Sequence, residues 1–372
     1  MAVLRTYMTL RVVLVTHQAT TSLRGGAETQ ILKTMEYLNR LDGIVEAKLF
    51  DMWNDRIEDY DIVHLFGPEL FLSESLVISD YAKLKNVRVV TSPIMYDSQG
   101  YARDRLGIVG SGLWKALISF GRLSSRSKHL QFLDPFRNTK KILNNSDKIL
   151  PNTRDEQKLL MELFPEIPEK KFALVPNGVD LRFKHGTPMA FKKEFSIEDF
   201  ILYVGTIGRR KNVHMLIKAF LRSGLDTDLV IMGKATDREY YDMCEKEADG
   251  RVVFLPPVSH ESELLQSAYK ACKVTALPSY YETPGLAALE GGLAGANVVV
   301  TGIGGTREYF RDYAWYVDPT STESIKEALL EAYAAPKTSD LSNHIETNFT
   351  WEKVARKTAD SYESLAPDRK LK

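Results

Sequence analysis

The stretch richest in chemistry is Tyr280-Tyr281-Glu282-Thr283-Pro284-Gly285-Leu286-Ala287-Ala288-Leu289-Glu290, in which two glutamates stand eight positions apart. Thr283 reads as an N-cap and Pro284 as a first helical residue, so a helix is predicted to begin immediately after Glu282. At the usual helical rise Glu290 would lie about 10 Å further along the axis. The helix start at Pro284, Gly285 and Leu286 then forms an anion site suited to a pyrophosphate. Each carboxylate can accept paired hydrogen bonds from vicinal hydroxyls, so one could hold a hexose and the other a ribose.

A second cluster follows the apolar run Phe200–Val204. Gly205 and Thr206 lead through Ile207-Gly208 to Arg209-Arg210-Lys211 and Asn212, and a helical pattern begins at Val213. Three cations where a strand yields to a helix can neutralise a departing diphosphate. The glycine spacing lacks the G-x-G-x-x-G pattern, which disfavours a nicotinamide enzyme. In the first half, Gly25-Gly26 precede a helix expected near Glu28, where backbone amides could approach a phosphate or sugar oxygen. Gly304-Gly305 repeat that pattern in the second half.

These residues need a scaffold, and the apolar runs supply one. Leu10–Thr16, Ala47–Phe50, Ile62–Phe66, Val87–Thr91, Lys148–Pro151 and Phe172–Pro176 form one series of predicted strands. Phe200–Val204, Asp228–Met232, Arg251–Leu255, Lys273–Leu277, Asn297–Thr301 and Tyr313–Val317 form another. Helical stretches separate them, the rhythm of parallel sheets covered on both faces. The expected fold is α/β: two tandem Rossmann-like, doubly wound domains facing a central cleft. An N-terminal domain is expected at 10–183, a C-terminal domain at 198–345, and a terminal helix at 346–366 crossing back to the first.

With 49 Lys plus Arg against 49 Asp plus Glu, nothing global favours a nucleic-acid partner. Two cysteines, Cys244 and Cys272, fit a reducing cytoplasm and neither a disulfide framework nor a metal site. Asp59-Tyr60-Asp61 has an aspartate spacing used by metal-dependent sugar transferases, but a strand start explains it more simply. His64, inside an apolar strand, is expected to be buried and satisfied. No apolar run is long enough to span a membrane. The segment 101–141 carries nine basic residues against two acids, interleaved with Leu113, Trp114, Leu117, Ile118, Phe120 and Leu123. Such a segment suits either a core-packed amphipathic helix or a peripheral contact with an anionic membrane.

Taken in order, these motifs resemble glycosyltransferase family 4, of the GT-B fold. The resemblance runs from about residue 10 to about 365. It joins Gly25-Gly26-Ala27-Glu28, Asp61-Ile62-Val63-His64, Pro176-Asn177-Gly178-Val179-Asp180, Arg210-Lys211-Asn212, the two spaced glutamates, Gly304-Gly305-Thr306-Arg307-Glu308 and Thr350-Trp351-Glu352. It implies a retaining, metal-independent hexosyl transfer from a nucleotide-diphosphate sugar, a UDP-glucose-like donor favoured and GDP-mannose next, to a glycan or lipid-linked hydroxyl, with no resident cofactor. Glu282 matches the hexose-contacting glutamate, Glu290 the ribose-binding one and Lys211 the diphosphate lysine, and Gly26 lies in the loop facing the phosphates. The chain departs at Thr206, where many members have arginine and where Arg210 or Arg209 would supply the charge. It departs also at Pro284, which lacks an amide donor, and at Ser92–Asp97, which has no histidine to carry over. A sugar-nucleotide epimerase, a phosphorylase or a non-catalytic nucleotide-binding module is the alternative.

Overall fold

The computed structural model describes residues 9–16, 25–67, 73–95, 136–197 and 199–366. The chain divides into two compact units. The described residues up to Gly178, joined by those from Trp351 onward, make the first, and Val179–Thr350 make the second.

The first unit is built on a parallel sheet of β1 (Leu10–Val15), β2 (Val45–Leu49), β3 (Ile62–Phe66), β4 (Arg88–Ser92) and β5 (Lys148–Ile149), in the order β2-β1-β3-β4-β5. The helices α1 (Gly26–Leu38), α2 (Ser73–Leu84), α3 (Arg137–Asn145) and α4 (Arg154–Leu163) accompany it. Near-continuous Val, Ile and Leu in β1 and β3 suit strands covered on both faces, and nearly all of their side chains are buried. The run Phe172–Pro176 adds no strand: it meets β5 only through a bridge between Ile149 and Phe172.

In the second unit β6 (Ile201–Val204), β7 (Leu229–Met232), β8 (Val252–Leu255), β9 (Val274–Leu277), β10 (Asn297–Thr301) and β11 (Trp315–Val317) form a parallel sheet ordered β11-β10-β9-β6-β7-β8. Its helices are α5 (Arg182–His185), α6 (Met189–Phe195), α7 (Val213–Ser223), α8 (Arg238–Glu247), α9 (Glu263–Ala271), α10 (Leu286–Ala294), α11 (Thr306–Phe310), α12 (Thr322–Ala334) and α13 (Asp340–Asn348). The strand order reverses between β6 and β9, the switch point beyond which open α/β sheets bind ligands. There the ladder holds only at Ile201↔Val274 and Leu202↔Thr275, so the two strands part toward their carboxyl ends.

The stretch between the two expected domains is structured. Phe183 of α5 and Phe191 of α6 are fully buried in the core of the second unit, so the division falls at Gly178 and not at residue 183. A further helix, α13, packs against α10. At the far end, α14 (Trp351–Glu363) lies on α1 and buries Trp351, Val354, Ala355, Ala359 and Tyr362 in the core of the first unit.

Candidate functional site

Two loops at the switch point carry the charged residues. After β6 the chain passes through half-buried Gly205 and Thr206, where the Tyr203 hydroxyl donates to the Thr206 carbonyl at 2.7 Å. It then makes a 3-10 turn over Arg209–Lys211. Fully buried Asn212 ends the turn in a left-handed conformation, φ 61°, which asparagine tolerates better than most residues. Its Nδ2 donates to the carbonyls of Pro278 at 3.0 Å and Pro319 at 2.7 Å. The Tyr280 amide donates to the Arg210 carbonyl at 3.0 Å, which ties the turn to the loop after β9.

That tie sets the side chains. Lys211 Nζ lies 2.5 Å from Glu282 Oε1, and Arg210 Nη1 lies 3.8 Å from the same oxygen while donating to the Tyr281 carbonyl at 3.1 Å. Glu282 is buried. Burial alone would raise its pKa, but the charges of Lys211 and Arg210 outweigh that and hold it below the usual carboxylate range. Burial pushes the Lys211 ammonium down, against the opposing pull of Glu282. Arg209 turns elsewhere: half-exposed, it pairs with Asp237 at 3.0 Å and Glu239 at 3.5 Å at the start of α8. The three consecutive cations are thus split, two facing Glu282 and one engaged on a neighbouring helix.

The helix predicted to start after Glu282 begins later, at Leu286, with Gly285 as N-cap at φ 82°. The cause lies in the backbone of Glu282, which pairs with the chain beyond β10: its amide donates to Ile303 at 3.3 Å, and its carbonyl accepts from Gly305 at 3.0 Å. A segment held in a sheet-like bridge cannot also supply the first helical turn, so the chain reverses at a residue free to take positive φ. Gly304 and Gly305 therefore seat the Glu282 backbone. A Cβ at Gly304, φ 96°, would stand 2.1 Å from the Glu282 carbonyl oxygen. Thr283, Pro284 and Gly285 are buried in this turn, and the first-turn amides of α10, which have no intrahelical acceptor, begin at half-buried Leu286.

Glu290 sits within α10 and has a different set of partners. His260 Nε2 lies 2.7 Å from its Oε1, and the Tyr269 hydroxyl donates to its Oε2 at 2.7 Å. Burial opposes the imidazolium, but the hydrogen bond and charge of Glu290 overcome it and raise the His260 pKa. Neither His260 nor Tyr269 was singled out from sequence.

In the first unit Gly25 is the N-cap of α1, and the Glu28 carboxylate folds back to accept from the Gly25 amide at 2.8 Å. The helix begins at Gly26, earlier than expected, and Glu28 supplies the one side-chain bond that a glycine N-cap allows. His64 is fully buried between the Tyr362 hydroxyl at 2.6 Å and the Ser92 hydroxyl at 2.9 Å, and burial depresses its pKa to about 3. Asp61 accepts the Arg11 amide at 2.9 Å. Among the described residues no three His, Cys, Asp or Glu converge as metal ligands would, and no helix is long and apolar enough to cross a membrane. Most of the basic segment 101–141 lies outside the described residues.

Two such α/β units in tandem, with the β6/β9 switch point carrying the paired charges, define a GT-B fold. Sucrose-phosphate synthase from Thermosynechococcus elongatus superposes with a TM-score of 0.72 at 18% identity, covering 96% of this chain and 99% of that one. The Anabaena protein HepE, solved with UDP-glucose, superposes with a TM-score of 0.68 at 14% identity over 95% of this chain and 100% of that one. Residues 189–348 match the family described as glycosyl transferases group 1. An uncharacterized glycosyltransferase of Methanocaldococcus jannaschii is 27% identical over 52% of this chain and 54% of its own length. A D-inositol 3-phosphate glycosyltransferase of Geodermatophilus obscurus is 32% identical over 46% of this chain and 41% of its own. The chain thus spans about half the length, or less, of these curated relatives.

Proposed function

We propose that the protein is a retaining hexosyltransferase using a nucleotide-diphosphate sugar, with UDP-sugars favoured, and a glycan or lipid-linked hydroxyl as acceptor. The observation that carries this reading is the cluster of Lys211 and Arg210 on the buried Glu282 at the β6/β9 switch point. It is supported by the family match of the second unit and by the UDP-glucose complex of a protein of the same fold. In this reading Lys211, Arg210 and the first-turn amides of α10 receive the diphosphate. Glu282 takes hydroxyls of the hexose, and Glu290 those of the ribose. Gly205, Thr206, Pro284 and Gly285 line the donor, and Arg209 lends long-range charge.

The anomeric C1–O bond breaks with both electrons passing to the diphosphate oxygen. The acceptor oxygen attacks C1 from the same face, and its proton passes to that departing oxygen. No side chain need become covalently attached. The cations act where negative charge accumulates, which is where preorganised electrostatics lower a barrier most. The test is an NMR-monitored assay of UDP-glucose and GDP-mannose against an acceptor panel, with and without chelator. Nucleotide release that requires acceptor, an axial anomeric product and indifference to chelator are expected. An inverted product or strict dependence on added metal would overturn the mechanism.

A further inference from the structure

The partners of Glu290 continue outward to a residue that precedes the matched family segment. Arg182 of α5 places Nη2 2.7 Å from His260 Nδ1 and 2.6 Å from the His260 carbonyl oxygen, while Nη1 pairs with Glu261. A guanidinium has only donors, so an Nδ1 facing it must present a lone pair. The imidazole proton then resides on Nε2, aimed at Glu290 Oε1 at 2.7 Å. The ring is held from the side as well. Phe183 packs edge-on against both His260, at 5.5 Å between centroids, and Tyr269, at 5.4 Å. Asp180 Oδ2 stands 3.8 Å from Arg182 Nε.

We infer that Arg182 and His260 are positioning residues for the nucleotide subsite: Arg182 selects the Nε2–H tautomer of His260, which together with Tyr269 fixes the Glu290 carboxylate. With one donor on each oxygen, the carboxylate is held in one orientation, and each oxygen keeps a second lone pair for a ligand hydroxyl. A chain of hydrogen bonds ending on a ligand-facing group preorganises it in the way outer-shell partners orient metal ligands. The inference rests on the reading that Glu290 receives a ribose, and it adds two residues to that subsite.

The test uses the full chain. Histidine ¹⁵N NMR in alkaline buffer, where the raised pKa no longer keeps the ring doubly protonated, should find His260 as the Nε2–H tautomer, and Arg182→Ala should shift it toward Nδ1–H. In calorimetric titrations with UDP, His260→Ala should weaken binding about tenfold, the size of one lost donor to a charged group. His260→Gln, whose amide can still donate to Glu290, should restore binding to within about threefold of wild type. A wild-type Nδ1–H tautomer, or His260→Ala binding UDP as tightly as wild type, would overturn the relay. If neither UDP nor GDP binds the wild type, the ribose reading fails instead, and the tautomer measurement, which needs no ligand, still decides what Arg182 does to His260.

Discussion

The two units bury titratable groups beside the central strands of their sheets in opposite ways. In the first, His64 is sealed between two hydroxyls and kept neutral, its pKa depressed to about 3 by burial alone. In the second, buried Glu282 is kept charged against half-buried Lys211, with Arg210 beside them. Burying charge costs more than burying a satisfied neutral group, and an apolar pair often serves stability as well or better. A domain that needed only a stable core could follow the first pattern. Retained charge at a switch point is what the proposed donor site requires, whereas the uncharged His64 within β3 is what a core requires.

The sharpest way to break this contrast is to delete the charge. Lys211→Ala should lower turnover about a hundredfold or more, the usual loss for one preorganised donor at developing negative charge, while Arg210 still faces Glu282 and the melting temperature changes little. Activity within a few-fold of wild type would leave the ion pair a structural feature like His64. Next in size is a purely structural change in the second unit. Gly304→Ala must relieve positive φ and a clash with the Glu282 carbonyl oxygen, and should cost about 2 kcal/mol or more of stability in urea unfolding, with activity falling because Glu282 moves. A stable Gly304→Ala protein with normal activity would refute the seating role.

The smallest effect belongs to the first unit. Because the folded His64 pKa lies below its unfolded value, the unfolded chain binds the extra proton between roughly pH 6.5 and 3. The stability contribution is complete above that window and is lost as pH falls through it, by about 2 kcal/mol between pH 7 and 5. Urea titrations at both pH values, repeated for His64→Gln, should show the variant losing this part of the slope. Identical slopes would show that the imidazole is not held neutral.

Much of the scaffold was legible because β-branched runs and turn residues are local signals. Ile62–Phe66 and Asn297–Thr301 fall where the pattern puts them, and Lys211, Arg210 and Glu282 were marked by types that rarely cluster without reason. What was illegible is long-range. His260, Tyr269 and Arg182 converge on or behind Glu290 from separate parts of the chain, and no local pattern announces such a meeting. The start of α10 was misplaced for the same reason: Thr283-Pro284 is a sound local helix signal, overridden by the pairing of Glu282 with Gly304 and Gly305. Phe183 and Phe191 lie in short, polar helices whose composition resembles a linker, and only their burial reveals them as core.

The return of α14 to the first unit has a consequence for how the protein is made. Trp351 and Tyr362 are core residues of a unit whose first strand begins at Leu10, and Tyr362 supplies one of the two hydroxyls that satisfy His64. During synthesis the second unit, contiguous from Val179 to Thr350, can close once its last helix leaves the ribosome. The first must wait, with His64 and the apolar face of α1 uncovered, until α14 has emerged. The unit whose strands are translated first is thus finished after the second, and the interval leaves an open flank for chaperones to guard.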